Sequence, residues 1–275
     1  RLSKNIHLLA IWLVAIGANV SAFWILAANS FMQSPVGYMQ EGGRLVMTDF
    51  FALITNPYVW GQFPHTVFAG FSTAAFFVIG ISVYHLMRHK NEDLFNRSLK
   101  IAVIFGLIAV LGVIGVGDYQ AKRMVQVQPM KIAAAEGLWE SQNPAGLSMF
   151  AIFDEDAQED LVQIRIPNML SVLAYNSLTG EVKGIKNLQE AYELLYGPGK
   201  YIPNVFVLYW SFRVMVGAGF LMLAILAVLL YFIVRKQALP RWTWLTLLFP
   251  LVISFPYMSN PAGWIMTEMR LQPSV

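Results

Sequence analysis

The sequence predicts an all-α membrane protein, a polytopic bundle of five transmembrane helices with one long extracytoplasmic loop. Hydrophobic residues make up 57% of the 275 residues and charged residues only 13%, against about 45–50% and about 25% in a soluble domain. Five stretches approach the roughly 20 predominantly apolar residues that a spanning helix needs. The basic residues gather in the connections between them, as membrane topology signals do. Mean hydropathy is +0.54, and the net charge of +3 is the small difference between 19 basic and 16 acidic residues. These values argue against a soluble enzyme, a disordered chain and a nucleic-acid-binding domain. Cysteine is absent. That removes disulfides, thiolate catalysis, thiolate-held iron–sulfur clusters and Cys-anchored haem from this chain. Any metal must rest on His, Met, Glu or Asp.

Residues 7–29 hold no Asp, Glu, Lys or Arg and make the first span. Residues 50–87 hold none either, and Pro57 and Pro64 mark the entry to a helix ending near Leu86. The third span is 101–117, extended by 98–100. The fourth is 202–234, with Arg213 as its one charge; the fifth is 242–267, with Pro250 and Pro256 as kink sites. Gly70, Gly80, Gly106, Gly112, Gly217 and Gly219 are small enough to allow close helix contact. The chain starts at Arg1 and enters an apolar stretch at once, which suggests a piece of a longer membrane protein.

Arg88, Lys90, Arg97 and Lys100 separate the second and third spans. Arg235, Lys236 and Arg241 separate the fourth and fifth, and Arg1 and Lys4 precede the first. All three groups fall on one side, which the positive-inside rule makes cytoplasmic. Residues 118–201, with 11 acidic and 7 basic side chains, then face outward. Three regions follow: 1–117, 118–201 and 202–275. Within the loop, 126–140 reads as an amphipathic helix. Residues 147–166 mix short apolar runs with an acidic stretch at 154–160 that reads as a solvated face. A short helix at 188–195 is stopped by Gly197-Pro198-Gly199. A loop of this length is usually functional or disordered.

Few residues could carry chemistry. His89 reads as solvated, His85 as interfacial and His7 as a helix-end group. His65 lies inside an uncharged stretch, where an ionisable group is costly unless paired or ligated; a ligand and a packed side chain both remain open. Arg213 needs an anion, either a carboxylate or a cofactor propionate. Met215, two residues on, is core filler or half of a His/Met axial pair for an electron-transfer haem. Lys131 and Glu136, five residues apart, lie about 140° apart on a helix. They belong either to a solvated amphipathic helix or to a site that hydrogen-bonds a quinol head group and takes its protons. Glu268 closes the last span as an interfacial carboxylate or as an iron or proton ligand.

Six stretches together resemble subunit I of the cytochrome bd quinol oxidases. They are Asn19-Val20-Ser21-Ala22-Phe23-Trp24-Ile25-Leu26, Phe63-Pro64-His65-Thr66-Val67, Gly117-Asp118, Lys131-Ile132-Ala133-Ala134-Ala135-Glu136, Phe212-Arg213-Val214-Met215-Val216 and Ala262-Gly263-Trp264-Ile265-Met266-Thr267-Glu268-Met269. The resemblance implies that His65 and Met215 ligate a low-spin haem b and that Arg213 sits against it. It also implies that Lys131 and Glu136 serve quinol oxidation in the family's Q loop, and that Glu268 ligates one of two high-spin haems, a haem b and a haem d. It implies a second large subunit, small single-helix subunits and a bacterial cytoplasmic membrane, with residues 118–201 in the periplasm. The short loop resembles the form without the long C-terminal insertion. Two departures stand out. The family's first three helices, with a further His ligand, have no counterpart here. The usual Gly-Arg-Gln-Pro-Trp after Glu268-Met269 is replaced by Arg270-Leu271-Gln272-Pro273-Ser274-Val275. Such a piece alone is expected to be inactive.

A transporter or scaffold is the alternative from another class. A transporter would more often show internal repeats and paired broken helices, and no convincing repeat relates the two halves. A di-haem cytochrome b of another family would need two intramembrane His pairs, and His65 is the only candidate.

Overall fold

The computed structural model describes residues 3–237 and 243–269; the side chains of 243–250 lie outside that description. Arg1, Arg241 and the divergent residues 270–275 therefore fall outside the described residues, as does the side chain of Pro250, an expected kink site. In chain order the elements are α1 (Lys4–Gln33), β1 (Tyr38–Glu41), β2 (Arg44–Met47), α2 (Phe50–Ile54), α3 (Pro57–Met87), α4 (Glu92–Val127) and α5 (Pro129–Glu136). They continue with β3 (Leu147–Asp154), β4 (Glu159–Ile166), α6 (Met169–Tyr175), α7 (Ile185–Tyr196), α8 (Val205–Val234) and α9 (Thr243–Glu268).

Four stretches among the described residues are long and apolar enough to cross a membrane: Lys4–Gln33, Phe50–Met87, Glu92–Val127 and Val205–Val234. The fifth expected span falls on α9, a helix of 26 residues. The starts of these helices follow from their caps. Asn56 accepts from the Tyr58 amide just before Pro57, whose missing N–H costs nothing at that position. Asn204 accepts from the Val207 amide and starts α8. Pro64 lies inside α3 rather than at its entry.

The third span is longer than its apolar run. Sequence alone ends it near Gly117, yet α4 continues to Val127. Lys122 pairs with Asp118 one turn earlier, the spacing at which opposite charges support a helix. Two antiparallel hairpins also join the bundle, β1 with β2 and β3 with β4. The first turns through Gly42 and Gly43, at φ 56° and 76°, the left-handed pair that a tight hairpin turn requires. In the second, Asp154 closes the turn by accepting from the Asp156 and Ala157 amides. Glu155 beside it accepts from the Phe206 amide at the start of α8, 2.8 Å away. The acidic stretch is thus partly a structural clip and not only a solvated face. The helix expected at 188–195 is α7, ended by Gly197.

The core lies between α3, α4 and α8, where Phe76, Ile79, Val83, Val103, Val110 and Leu226 are fully buried. Both α3 and α8 pack on α4 and on α9. Of the glycines expected at helix contacts, Gly106 and Gly112 fill that role. A Cβ at Gly112 would stand 2.7 Å from the Phe68 ring, and one at Gly106 3.0 Å from the Ala75 Cβ. Gly70, Gly217 and Gly219 have nothing within 4 Å of that position. Helix α1 joins the bundle only through its last turns, where Leu26, Ala27, Asn29, Ser30 and Gln33 are buried; Trp12, Leu13 and Val14 are exposed.

Candidate functional site

The sequence-selected residues converge at the end of the bundle that carries the long connection between α4 and α8. Pro129 starts α5 and Gly137 ends it in the left-handed region, at φ 58°. All residues from Met130 to Glu136 are buried. The expectation of a helix with one solvated face is corrected here: α5 is enclosed by α4, α7 and α8. Lys131 and Glu136 are 3% and 2% exposed and reach different neighbours, as their angular separation requires.

Glu136 faces Arg213 of α8. The guanidinium donates to both carboxylate oxygens, at 2.9 and 3.2 Å, and to the backbone oxygens of Ala135 and Ser148. Its plane lies over the Tyr209 ring, 4.1 Å from the centroid. The Ser148 amide donates to Glu136 Oε2 at 3.1 Å, and the Ser148 hydroxyl bonds the Tyr209 hydroxyl at 2.8 Å. Arg165 of β4 donates to the Gly137 carbonyl. Burial pushes the Glu136 carboxyl above the usual carboxylate range, opposed by Arg213, the Ser148 amide and Arg165. Of the two anions open to Arg213 on sequence grounds, the structure supplies the carboxylate.

Lys131 points to α9. Its ammonium donates to the Thr267 carbonyl at 2.8 Å. Burial pulls its pKa down to about 8, against the field of Glu268, which favours the charged form. On its other side Glu268 accepts from the Asn29 amide at 2.6 Å. Asn29 accepts in turn from Gln33 and from Gln62, the latter at 3.2 Å, and Gln62 accepts from the Ser30 hydroxyl at 2.8 Å. This polar network joins α1, α3 and α9. Sequence reasoning passed over it, although three amides in otherwise apolar spans were a usable signal, since each needs a partner there.

His65 lies eight residues into α3 and Met215 ten residues into α8, about 12 and 15 Å along their axes at 1.5 Å per residue. Each residue thus lies about two to three turns from the start of its own helix, α3 starting at Pro57. His65 Nδ1 is buried without a hydrogen-bond partner among the described residues. Its ring lies against Gly117, where a Cβ would stand 3.2 Å from Cε1. Met215 Sδ lies likewise against Gly263, 2.9 Å from where a Cβ would stand. An unsatisfied imidazole nitrogen and a thioether, each seated against a glycine, fit the donor set of a low-spin haem. Gly117 and Gly263 are functional candidates that sequence reasoning placed in motifs without a role. The other histidines are elsewhere: His89 bonds Glu92 at 2.7 Å, and His85 stacks on Phe95. Among the described residues no three His, Asp or Glu side chains cluster as a metal site.

The family model for cytochrome bd terminal oxidase subunit I matches residues 1–275. The chain belongs to that family. It is 49% identical over 275 residues to the cytochrome bd ubiquinol oxidase subunit 1 of Bacillus subtilis, covering 99% of this chain and 58% of that protein. It is 34% identical to the cytochrome bd-II ubiquinol oxidase subunit 1 of Escherichia coli, covering 99% of this chain and 64% of the relative. The bd oxidase structure from Geobacillus thermodenitrificans superposes with a TM-score of 0.79 at 27% identity, covering 98% of this chain and 60% of that one. The chain thus spans about three fifths of the length of the relatives it matches. The membrane-bundle fold expected from hydropathy is the fold of the cytochrome bd subunit I family.

Breaking a buried ion pair leaves an uncompensated charge, which costs about 3–5 kcal/mol. Arg213→Met is therefore expected to lower the thermal unfolding midpoint of the detergent-solubilised protein markedly. Adding Glu136→Leu should recover most of the loss. A double variant as unstable as the sum of the two single ones would show that the pair does not act as a unit.

Proposed function

We propose that the chain is the haem-binding part of a respiratory quinol oxidase, in which quinol is oxidised at the long connection and oxygen is reduced to water. The observation that carries this reading is the donor pair His65 and Met215, each seated against a glycine, on two helices that share α4 and α9 as neighbours. Haem b bound there would supply one-electron redox chemistry between quinol and the high-spin haem b and haem d of the whole enzyme. The chain's own residues hold, orient and shield. His65 and Met215 would hold the low-spin haem, and Glu268 would hold a high-spin haem. Arg213, two residues from Met215, has its charge paired with Glu136, so a haem held there would meet a neutralised pair rather than a free cation.

In the same reading Lys131 and Glu136 serve the quinol, Lys131 as a donor to a quinol oxygen and Glu136 as a proton acceptor. Each reaches a quinol only when its protein partner, the Thr267 carbonyl or Arg213, gives way. The acidic long connection faces the periplasm of a bacterial cytoplasmic membrane, opposite the basic ends at Arg88, Lys90, Arg97 and Lys100. The exposed apolar faces of α1 meet lipid or further helices, including those of a second large subunit and small single-helix subunits.

Three measurements test this reading in the full-length subunit. His65→Ala should abolish the low-spin haem band in redox difference spectra, while Met215→Leu should keep some haem at a lowered potential; an unchanged band in His65→Ala rejects the ligand assignment. Lys131→Ala should slow quinol oxidation by about a hundredfold or more, with haem content intact and artificial donors still driving oxygen reduction; loss of haem would make Lys131 structural. These 275 residues hold no Cys, so Asp156→Cys, read against the unsubstituted full-length subunit, reports topology. An impermeant thiol reagent should label it in intact spheroplasts, and labelling only after lysis would reverse the orientation.

A further inference from the structure

Ser30, Asn29, Gln33 and Gln62 are 0%, 4%, 4% and 8% exposed, yet they sit on helices otherwise lined by apolar side chains. Burying four polar side chains is costly unless their hydrogen bonds are used, and here the bonds run in one direction. The Ser30 hydroxyl donates to Gln62 Oε1. A hydroxyl can donate or accept, so the sense of the chain is set at its other end: the Glu268 carboxylate only accepts, which turns the Asn29 NH2 toward it and leaves Asn29 Oδ1 to accept from the Gln62 NH2. Gln33 donates to the same oxygen. With Oδ1 held by two donors, Asn29 can present only its NH2 to Glu268, and it does so at 2.6 Å from Oε1. Among the described residues Oε2 of Glu268 takes no hydrogen bond, so one carboxylate oxygen is anchored and the other is left to a ligand or to iron.

We infer that Asn29 is a positioning residue for Glu268. The directional chain Ser30–Gln62–Asn29 aims an N–H at one carboxylate oxygen and thereby sets how the other is presented. It acts as outer hydrogen-bond partners do for ligating carboxylates. The network ties α1 and α3 to the last residue of α9, where fraying would otherwise leave the carboxylate free to turn. The inference rests on the proposed reading of Glu268 as an iron ligand.

Isosteric substitutions separate hydrogen-bond direction from packing. Asn29→Asp keeps the shape and replaces the donor with a second acceptor facing Glu268. Gln62→Glu removes the NH2 that orients Asn29 and leaves Asn29 itself untouched. In the assembled, full-length oxidase each is compared with Glu268→Gln. The readouts are high-spin haem content, taken from carbon monoxide difference spectra, and the low-spin band of the His65–Met215 haem. Asn29→Asp should weaken retention of the Glu268-ligated haem by about tenfold or more, Gln62→Glu by less, both with the low-spin band unchanged. A normal high-spin signal in Asn29→Asp, while Glu268→Gln loses it, overturns the positioning role and keeps the ligand reading. A normal signal in Glu268→Gln overturns the ligand reading itself. Equal loss of both haem signals in Asn29→Asp and in Gln62→Glu would mean that the network holds the bundle together rather than orienting Glu268, and would overturn the inference.

Discussion

A guanidinium and a carboxylate removed from water together cost several kcal/mol per ion, and their attraction offsets this only where the remaining donors and acceptors are also met. Arg213 and Glu136 satisfy that demand through the Ala135 and Ser148 carbonyls, the Ser148 amide and the face of Tyr209. Much of the loop end depends on this arrangement. It fixes α5 against α8, brings the edge of β3 onto the same residues and leaves Lys131 directed at α9. The hairpin is held a second time where Glu155 meets the start of α8. A long connection that could have been mobile is thus tied to the bundle at chemically distinct points.

The pair also changes what a positive charge in α8 can do. A lone Arg near a haem would favour the reduced iron through its field. An Arg whose charge is matched at 2.9 Å contributes mainly a dipole, whose effect falls off faster with distance. Any event that protonates or displaces Glu136 would uncover the cation two residues from Met215. Loop chemistry and the electrostatics of the α8 site are therefore linked by one contact.

The parts legible in the sequence were those governed by local rules. Hydropathy placed the spans because a bilayer leaves little choice, and Gly197 marked the end of α7. The need of Arg213 for an anion was legible, but the identity of that anion was not, since Glu136 lies 77 residues away. The extension of α4 was missed because Asp118, Lys122 and Arg123 end the apolar run without ending the helix. The β3–β4 hairpin was missed because the acidic run at 154–160 obscures strand alternation. Asn29, Gln62, Gly117 and Gly263 carry no periodic signal; their meaning appears only when α1, α3, α4 and α9 are brought together.

The length of α4 sets a height. Its 36 residues measure about 54 Å at 1.5 Å per residue, against a hydrocarbon layer of about 30 Å. The ten residues beyond Gly117 act as a pedestal of about 15 Å on which α5 is mounted. A lipid-soluble molecule serving Lys131 and Glu136 would have to raise its polar end to that level while its tail stays in the bilayer. Substrate length, and not only head-group chemistry, would then be measured at this site, and short-tailed analogues would lack the anchorage that long-tailed ones keep.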